Sequence, residues 1–155
     1  PTEAEWEFCA RYGPTARSWK YPWGENYPPP AKSVNIADAS AADILTLTLE
    51  TYQDAYPTAA PVGAFPPNPE GLFDLGGNVA EWCHDVYTIY PFRTGQVDTD
   101  PTGPAEGQHH VIKGSSWKHA SIRNLRVAYR DYQDEARPDL GFRVCRYVDP
   151  AGSTP

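Results

Sequence analysis

The first residues of the chain carry the clearest helical pattern. Thr2 and Glu5 have the spacing of a capping box, in which the Thr2 hydroxyl accepts the Glu5 N–H and the Glu5 carboxylate reaches back. Apolar or small residues then recur at helical spacing on one face, namely Trp6, Cys9, Ala10 and Gly13. The pattern predicts a short first helix that begins at Thr2, and Gly13 suits its C-terminal end.

Further along the chain the apolar residues form only short patches. Asn78 has the character of a helix N-cap and predicts a second short helix over residues 78–84. Apolar stretches at residues 111–113 and 141–147 predict strands. The stretch 44–49 fits a strand or a turn of helix equally well. Two short helices, short antiparallel strands and much irregular chain indicate the α+β class.

The composition limits the regular structure further. The 155 residues include 17 prolines and 12 glycines, and 13% of the chain is aromatic. Because proline removes a backbone donor and fixes φ, this density excludes long helices and long central strands. The net charge of −7 argues against a nucleic-acid partner. No apolar run approaches the roughly 20 residues of a membrane-spanning helix, so we expect no direct membrane insertion.

Four phrases of the sequence occur in a recognisable order. They are PTEAEWEF at 1–8, YPWG at 21–24, GLFDLGGNVAEW at 71–82, and KGSSW at 113–117 followed by Arg126, Arg130 and GFRV at 141–144. Together they resemble the formylglycine-generating enzyme, or sulfatase-modifying factor, family. The resemblance covers residues 1–148, leaves 149–155 as a C-terminal tail, and lacks the family's N-terminal portion. It implies a formylglycine-generating-enzyme-like variant of the C-type lectin fold, with little regular secondary structure.

The resemblance also implies a specific chemistry, which the residues do not support. The family's copper-dependent oxidases carry two cysteines shortly after the Gly-Ser-aromatic phrase, because soft thiolates hold Cu(I). Here residues 117–126 contain no cysteine. We therefore expect no copper, and the sequence favours a non-catalytic binding, structural or assembly module. Two alternatives stay open, namely an enzyme of altered chemistry that uses His119 and a ligand-display protein.

The same segment would form the groove in which family members place substrate or ligand. The residues that would line this candidate groove are Trp117, Lys118, His119, Arg123, Arg130 and Tyr132. Because several of them are cationic, a protein partner or a small acidic ligand would suit the groove. The sequence does not define an oligomeric state.

The family also binds structural calcium, an ion that takes about six to eight oxygen ligands. The positions that correspond to its two sites are Asn35, Ile36, Asp54 and Tyr56 for the first, and Asp74, Gly77, Val79 and Glu81 for the second. In each set two side chains and two backbone carbonyls would supply oxygens. By spacing alone the same residues would be turn residues and helix caps. With the resemblance, they predict one or two structural calcium ions.

The cysteines add one further expectation. Cys9, Cys83 and Cys145 show no zinc-binding spacing, and Cys83 is expected to be a small buried apolar residue. Secreted members of the family pair a cysteine near the end of the first helix with one just after the Gly-Phe-Arg phrase. The resemblance thus implies that Cys9 and Cys145 could form a disulfide. Calcium and a disulfide both favour an extracytoplasmic bacterial protein, whether periplasmic, cell-surface or secreted.

Overall fold

The computed structural model describes residues 1–11, 18–90 and 94–147. It contains one α-helix, α1 (Glu3–Arg11), a single 3-10 turn (Ala39–Ala41) and four strands. The strands are β1 (Ala80–Val86), β2 (His110–Lys113), β3 (Asp131–Gln133) and β4 (Leu140–Gly141). They form one sheet in the order β3-β2-β1-β4. The expected α+β class with little regular secondary structure is confirmed.

Helix α1 begins as the capping box predicts. The Glu5 N–H donates to Thr2 Oγ1 at 3.2 Å, and the Thr2 N–H donates to Glu5 Oε2 at 2.8 Å. Trp6 and Ala10 on the inner face are 1% exposed. The two acidic residues of the first turn and Arg11 in the last turn complement the helix dipole. The capping box therefore sets where this helix begins, while the bond from the Glu3 N–H to Asp85 Oδ2 at 2.7 Å and the packing of Trp6 hold it on the sheet.

The second predicted helix, over residues 78–84, is wrong, because most of this segment belongs to β1. The Asn78 side chain does not cap a helix. Its Oδ1 accepts the Ala60 N–H at 2.9 Å and its Nδ2 donates to the Ala60 carbonyl at 3.1 Å. Beyond it, the buried residues Glu81, Cys83 and Asp85 alternate with more exposed neighbours, which is the period of a strand.

The strands also depart from the sequence-based boundaries. β1 pairs antiparallel with β2, and β2 with β3, but β1 pairs parallel with β4, against the purely antiparallel expectation. The strand predicted over 141–147 is reduced to β4, because Arg143 turns to an ion pair and the segment after it makes no further ladder. The stretch 44–49 is neither strand nor helix, and only Leu49 makes a single bridge, to Asp38.

Two small hydrophobic clusters replace one large core. The first places α1 against the sheet and contains Trp6, Ala10, Leu75, Cys83, Val111 and Val127. The second supports the loops between α1 and β1 and contains Tyr21, Val34, Ile36, Tyr52 and Leu125. Within the described ranges, no helix is both long and apolar enough to cross a membrane.

Ion pairs connect the first cluster to the remainder of the chain. Glu81 Oε2 accepts the Trp6 indole N–H at 2.7 Å, and the Glu81 carboxylate accepts two N–H groups of Arg143 at 2.6 and 2.5 Å. Lys113 is fully buried, and its Nζ lies 3.2 Å from Glu7 and 3.7 Å from Glu3. These bonds join α1, β1, β2 and the C-terminal segment.

Gly77 marks the closest approach between two loops. It has φ of +143°, and a Cβ at this position would lie 2.3 Å from the Asn35 carbonyl oxygen and 2.6 Å from a Val34 methyl. We predict that Gly77→Ala lowers the free energy of unfolding by about 3–5 kcal/mol, since overpacking adds to backbone strain. Urea denaturation measures the change.

Gly71→Ala is the matched control for this prediction. Gly71 also has a positive φ, +78°, but a Cβ there would meet no atom within 4 Å. In this variant only backbone strain should lower the free energy of unfolding, by about 1–2 kcal/mol. Equal losses in the two variants would contradict the close approach at Gly77.

Candidate functional site

The segment that would carry the family's oxidase chemistry contains no thiol, and the three cysteines lie elsewhere. Burial raises the pKa of Cys83 to about 12, so this thiol in the first cluster stays protonated. Burial, and to a smaller extent nearby charged groups that include Cys145, raises the pKa of Cys9. Cys145 is exposed, and the structure shows all three cysteines unbonded. The disulfide between Cys9 and Cys145 is therefore not formed here.

One part of the candidate groove is a polar network around His119. Its Nδ1 accepts the Ser116 N–H at 3.0 Å, which places the proton of the neutral ring on Nε2. The Ser116 hydroxyl donates to Asp139 Oδ2 at 2.8 Å, and Lys118 Nζ lies 3.1 Å from Asp139 Oδ1. Lys118 also lies over the Trp117 ring, 5.0 Å from its centroid. The structure thus brings three predicted groove residues together.

This network is built for structure more than for nucleophilic chemistry. Ser116 is 0% exposed, so its hydroxyl cannot meet a substrate without rearrangement. Asp139, at 3% exposure, neutralises Lys118. Sequence reasoning missed Asp139, because an aspartate after a proline is typical of a turn and nothing in the pattern connects it to Ser116.

The other part of the candidate groove is organised by Arg130, which makes mainly structural contacts. Its guanidinium holds Glu3 through two hydrogen bonds, at 2.6 and 2.9 Å, and donates to the Thr88 carbonyl at 2.8 Å. It also stacks between the rings of Tyr87 and Tyr90, at 4.9 and 5.2 Å from their centroids. Little donor capacity remains for an acidic ligand.

Tyr132 and Arg123 complete the predicted groove. The Tyr132 ring packs on Tyr87 with centroids 4.3 Å apart and is about half exposed. Arg123 is exposed on the turn that follows the His119 network. Five of the six predicted residues therefore divide into two sets with different partners, one around Asp139 and one around Tyr87, and Arg123 belongs to neither set.

The first predicted calcium position is well assembled. Asp54 is 5% exposed, and its two carboxylate oxygens accept the Tyr56 N–H at 2.7 Å and the Ile36 N–H at 3.0 Å. Asn35 is 1% exposed, and its Nδ2 donates to the Thr58 carbonyl at 2.8 Å. All four predicted residues are thus brought together by the fold.

The electrostatics of this position suit a cation. Burial raises the pKa of Asp54 to about 6, and the nearby Asp38 carboxylate adds to the rise. The Asn35 side-chain oxygen is buried and accepts no hydrogen bond within the described part of the chain. Asp38 is fully buried, accepts the Asp54 N–H, and caps the 3-10 turn. Sequence reasoning missed Asp38, although an aspartate before Ala-Ser is a recognisable cap.

The second predicted calcium position does not fit an ion equally well. The Glu81 carboxylate already holds the Trp6 indole and the Arg143 guanidinium, so a cation there would compete with an arginine. Asp74 Oδ2 accepts the Gly63 N–H at 2.9 Å. Among residues 1–11, 18–90 and 94–147, no group of three His, Cys, Asp or Glu side chains is placed to hold a metal. Of the two positions, only the first offers a buried acceptor without a partner.

The fold and these sites define a loop-rich, C-type-lectin-like domain built on the formylglycine-generating scaffold without its thiols. The family model for the sulfatase-modifying factor enzyme 1-like domain matches residues 1–148, and the chain belongs to this family. A formylglycine-generating enzyme of Thermomonospora curvata is 39% identical over 97% of this chain and 49% of its own length.

Two further relatives show how widely the scaffold is used. The mouse protein named inactive C-alpha-formylglycine-generating enzyme 2 is 33% identical over 92% of this chain and 41% of its own length. The solved structure of Treponema denticola variable protein 1 superposes with a TM-score of 0.69 at 29% identity, and covers 92% of this chain and 45% of that one. The chain spans less than half the length of these three proteins, between 41% and 49%.

The partly buried His119 ring predicts a pH dependence of stability. Burial lowers its pKa below the ordinary 6.5, so the folded protein binds this proton less readily than the unfolded chain. The corresponding stability is present above pH 6.5 and is lost as the pH falls below it. A His119→Asn variant keeps an acceptor near the position of Nδ1 but has no titrating ring. The slope of its free energy of unfolding against pH should be smaller than that of the wild type, by up to about 1.4 kcal/mol per pH unit.

Urea denaturation between pH 7 and the acid side of the transition measures this effect. An exposed His84→Asn variant is the control and should follow the wild-type profile. An unchanged pH profile in His119→Asn would contradict a buried neutral ring.

Proposed function

We propose that this chain is a non-catalytic, calcium-stabilised module that serves binding or assembly on a sulfatase-modifying-factor scaffold. One observation carries the proposal: the family scaffold is present, while residues 117–126 contain no cysteine. The existence of a relative named as inactive supports the idea that the scaffold is retained without the oxidase chemistry.

The remaining cysteines do not compensate for the missing pair. Copper(I) needs accessible thiolates, but burial keeps the Cys83 thiol protonated, with a pKa of about 12. Cys9 also has a raised pKa, because it is partly buried. None of the three cysteines lies between Trp117 and Arg126, where His119 accepts a hydrogen bond from the Ser116 N–H instead. We therefore propose no copper site.

A direct assay tests the absence of oxidase activity. With Cu(I), oxygen and a cysteine-containing sulfatase peptide, mass spectrometry should find no conversion of the peptide cysteine to formylglycine. The Thermomonospora curvata enzyme in the same buffer is the positive control. Turnover by this chain would overturn the non-catalytic proposal.

The calcium part of the proposal concerns the first position. Two buried carboxylates, Asp54 and Asp38, lie near one another with no cationic side chain among their hydrogen-bond partners in the described ranges. The unpartnered Asn35 oxygen adds a third oxygen donor. A divalent cation held by Asn35, Asp54 and the carbonyls of Ile36 and Tyr56 would offset the cost of burying these charges. The ion would then fix the loops around the second hydrophobic cluster.

Calcium should therefore raise thermal stability through this position. At a calcium concentration about 100 times its Kd, the gain is about 2.7 kcal/mol, or roughly 5–10 °C in Tm for a domain of this size. Asp54→Asn should abolish the calcium-dependent rise, which differential scanning calorimetry with and without EGTA measures.

Asp74→Asn separates the two predicted positions, because Asp74 belongs only to the second. Its calcium-dependent rise in Tm should equal that of the wild-type chain. If the calcium-dependent rise in Tm survives in Asp54→Asn, calcium does not bind at the first position. If the rise disappears in Asp74→Asn, calcium binds at the second position.

We propose an extracytoplasmic setting for the module, where calcium is abundant and disulfides persist. As the resemblance to secreted family members implies, we propose that Cys9 and Cys145, which are free in this structure, bond there. Mass spectrometry of the unreduced protein checks this bond. Free thiols at both Cys9 and Cys145 after oxidation would exclude it. The partner would be a protein or a small acidic ligand that contacts the exposed side chains of Arg123 and Tyr132.

A further inference from the structure

A cavity of about 230 Å³ lies between the loop over residues 19–35 and the loop over residues 66–77. Two tryptophans, Trp19 and Trp23, and five prolines form much of its wall. None of the six candidate groove residues lines it. The cavity is therefore distinct from the candidate groove, although Asn35 of the first calcium position and Asp74 and Gly77 of the second also line it.

The Trp23 ring is fixed in place at the cavity wall. One face of the indole stacks on the buried Tyr21 ring, parallel to it with centroids 5.0 Å apart. Its N–H donates to the Asn26 carbonyl at 2.9 Å. Because the indole is stacked on Tyr21 and hydrogen-bonded through its N–H, it would present aromatic surface to a ligand with little loss of side-chain entropy.

The charge of the cavity comes from one carboxylate. Among the described residues that line it, Asp74 is the only charged one. The Gly63 N–H donates to Asp74 Oδ2 at 2.9 Å and orients the group. The nearby Arg143 guanidinium is neutralised by its two hydrogen bonds to Glu81. The cavity therefore combines indole surface with a negative charge.

We propose that this cavity binds a trimethylammonium group. A cation is attracted by the face of an indole more strongly than by other aromatic rings, and the Asp74 carboxylate adds to this attraction. The volume lies below the roughly 300–1,000 Å³ of sites for drug-sized ligands, so it suits a head group. The net charge of −7 also favours the approach of a cation.

Hydrogen bonding distinguishes this ligand from other cations. A guanidinium carries five N–H donors and a primary ammonium carries three, and each buried donor needs an acceptor. The indoles of the wall supply no acceptor, and the prolines supply only their backbone carbonyls. The Asn68 side chain is already bonded to the Cys9 carbonyl and to the Glu70 and Leu72 N–H groups. Asn35 also lines the wall, but the proposed calcium ion would occupy its side-chain oxygen. A trimethylammonium group has no N–H donor, so it loses nothing in such a wall.

The test uses the intact chain with choline as the probe and its neutral carbon analogue, dimethylbutanol, as the matched ligand. Choline should give saturable quenching of tryptophan fluorescence and a saturation-transfer signal on its methyl protons. The analogue has the same shape without the charge, and should bind roughly tenfold more weakly. Equal binding of the two, or no saturable signal from choline, would overturn the proposal.

Two variants locate the binding site, at a fixed saturating calcium concentration. Asp74→Asn and Trp19→Leu should each weaken choline binding roughly five- to tenfold, while the exposed Asp43→Asn, away from the cavity wall, should bind as the wild type does. Asp74→Asn preserves side-chain shape, so it decides the outcome even where Trp19→Leu does not fold. Wild-type affinity in Asp74→Asn would exclude the cavity.

A last arm distinguishes the source of the group. Sedimentation with phosphatidylcholine vesicles, competed by free choline, assigns a lipid head group. Choline binding without vesicle association assigns a small soluble ligand. Asn35 lines the cavity and is also a proposed calcium ligand, but the choline experiment tests Asp74 and Trp19, which do not belong to the first calcium position. Loss of the calcium effect at Asp54 and loss of choline binding at Asp74 are therefore separate outcomes.

Discussion

The buried carboxylate of Glu81 is the contact on which the other elements depend. It lies at the start of β1 and accepts the indole N–H of Trp6 from α1 and two N–H groups of Arg143 from the C-terminal segment. These partners are 75 and 62 residues away in the chain. Removing either one would leave a buried charge without full compensation, a loss that costs about 3–5 kcal/mol. The orientation of the helix and the end of the sheet are thus set by one side chain.

Buried polar side chains that bond distant segments recur in this fold, because its short strands make few backbone hydrogen bonds between them. Strand β4 has only two residues, so side chains supply the connections that a longer sheet would supply through its backbone. Glu3 holds Arg130, which immediately precedes the other edge strand, β3. The Tyr52 hydroxyl accepts the N–H groups of Ser33 and Val34. Buried polar groups of this kind are costly unless satisfied. A calcium ion beside Asp54 would extend the same principle to the remaining buried carboxylates.

Local sequence patterns predicted the structural features that depend on nearby residues. They failed for features that depend on contacts with residues distant in the chain. Helix α1 follows from its capping box, which involves only Thr2 and Glu5. The cap signature at Asn78 failed because its amide binds the Ala60 backbone, 18 residues earlier. The residues of the first proposed calcium position lie together, because Asn35 and Ile36 are adjacent in sequence and Asp54 accepts the N–H groups of Ile36 and Tyr56. Asp139 was missed because only the tertiary structure brings it to Ser116.

The residues that organise the fold are separate from the segment that would carry the family's oxidase chemistry. The bonds that organise the fold start from Glu3, Glu81 and Lys113, none of which lies between Trp117 and Arg126. Replacing thiols in that segment therefore leaves the ion pairs untouched. Hydrogen bonds hold the start of this segment, since His119 Nδ1 accepts the N–H of Ser116, which precedes the segment, and Ser116 and Lys118 both bond to Asp139. Such a network makes the segment a rigid surface, and a rigid surface lowers the entropy cost of binding a partner.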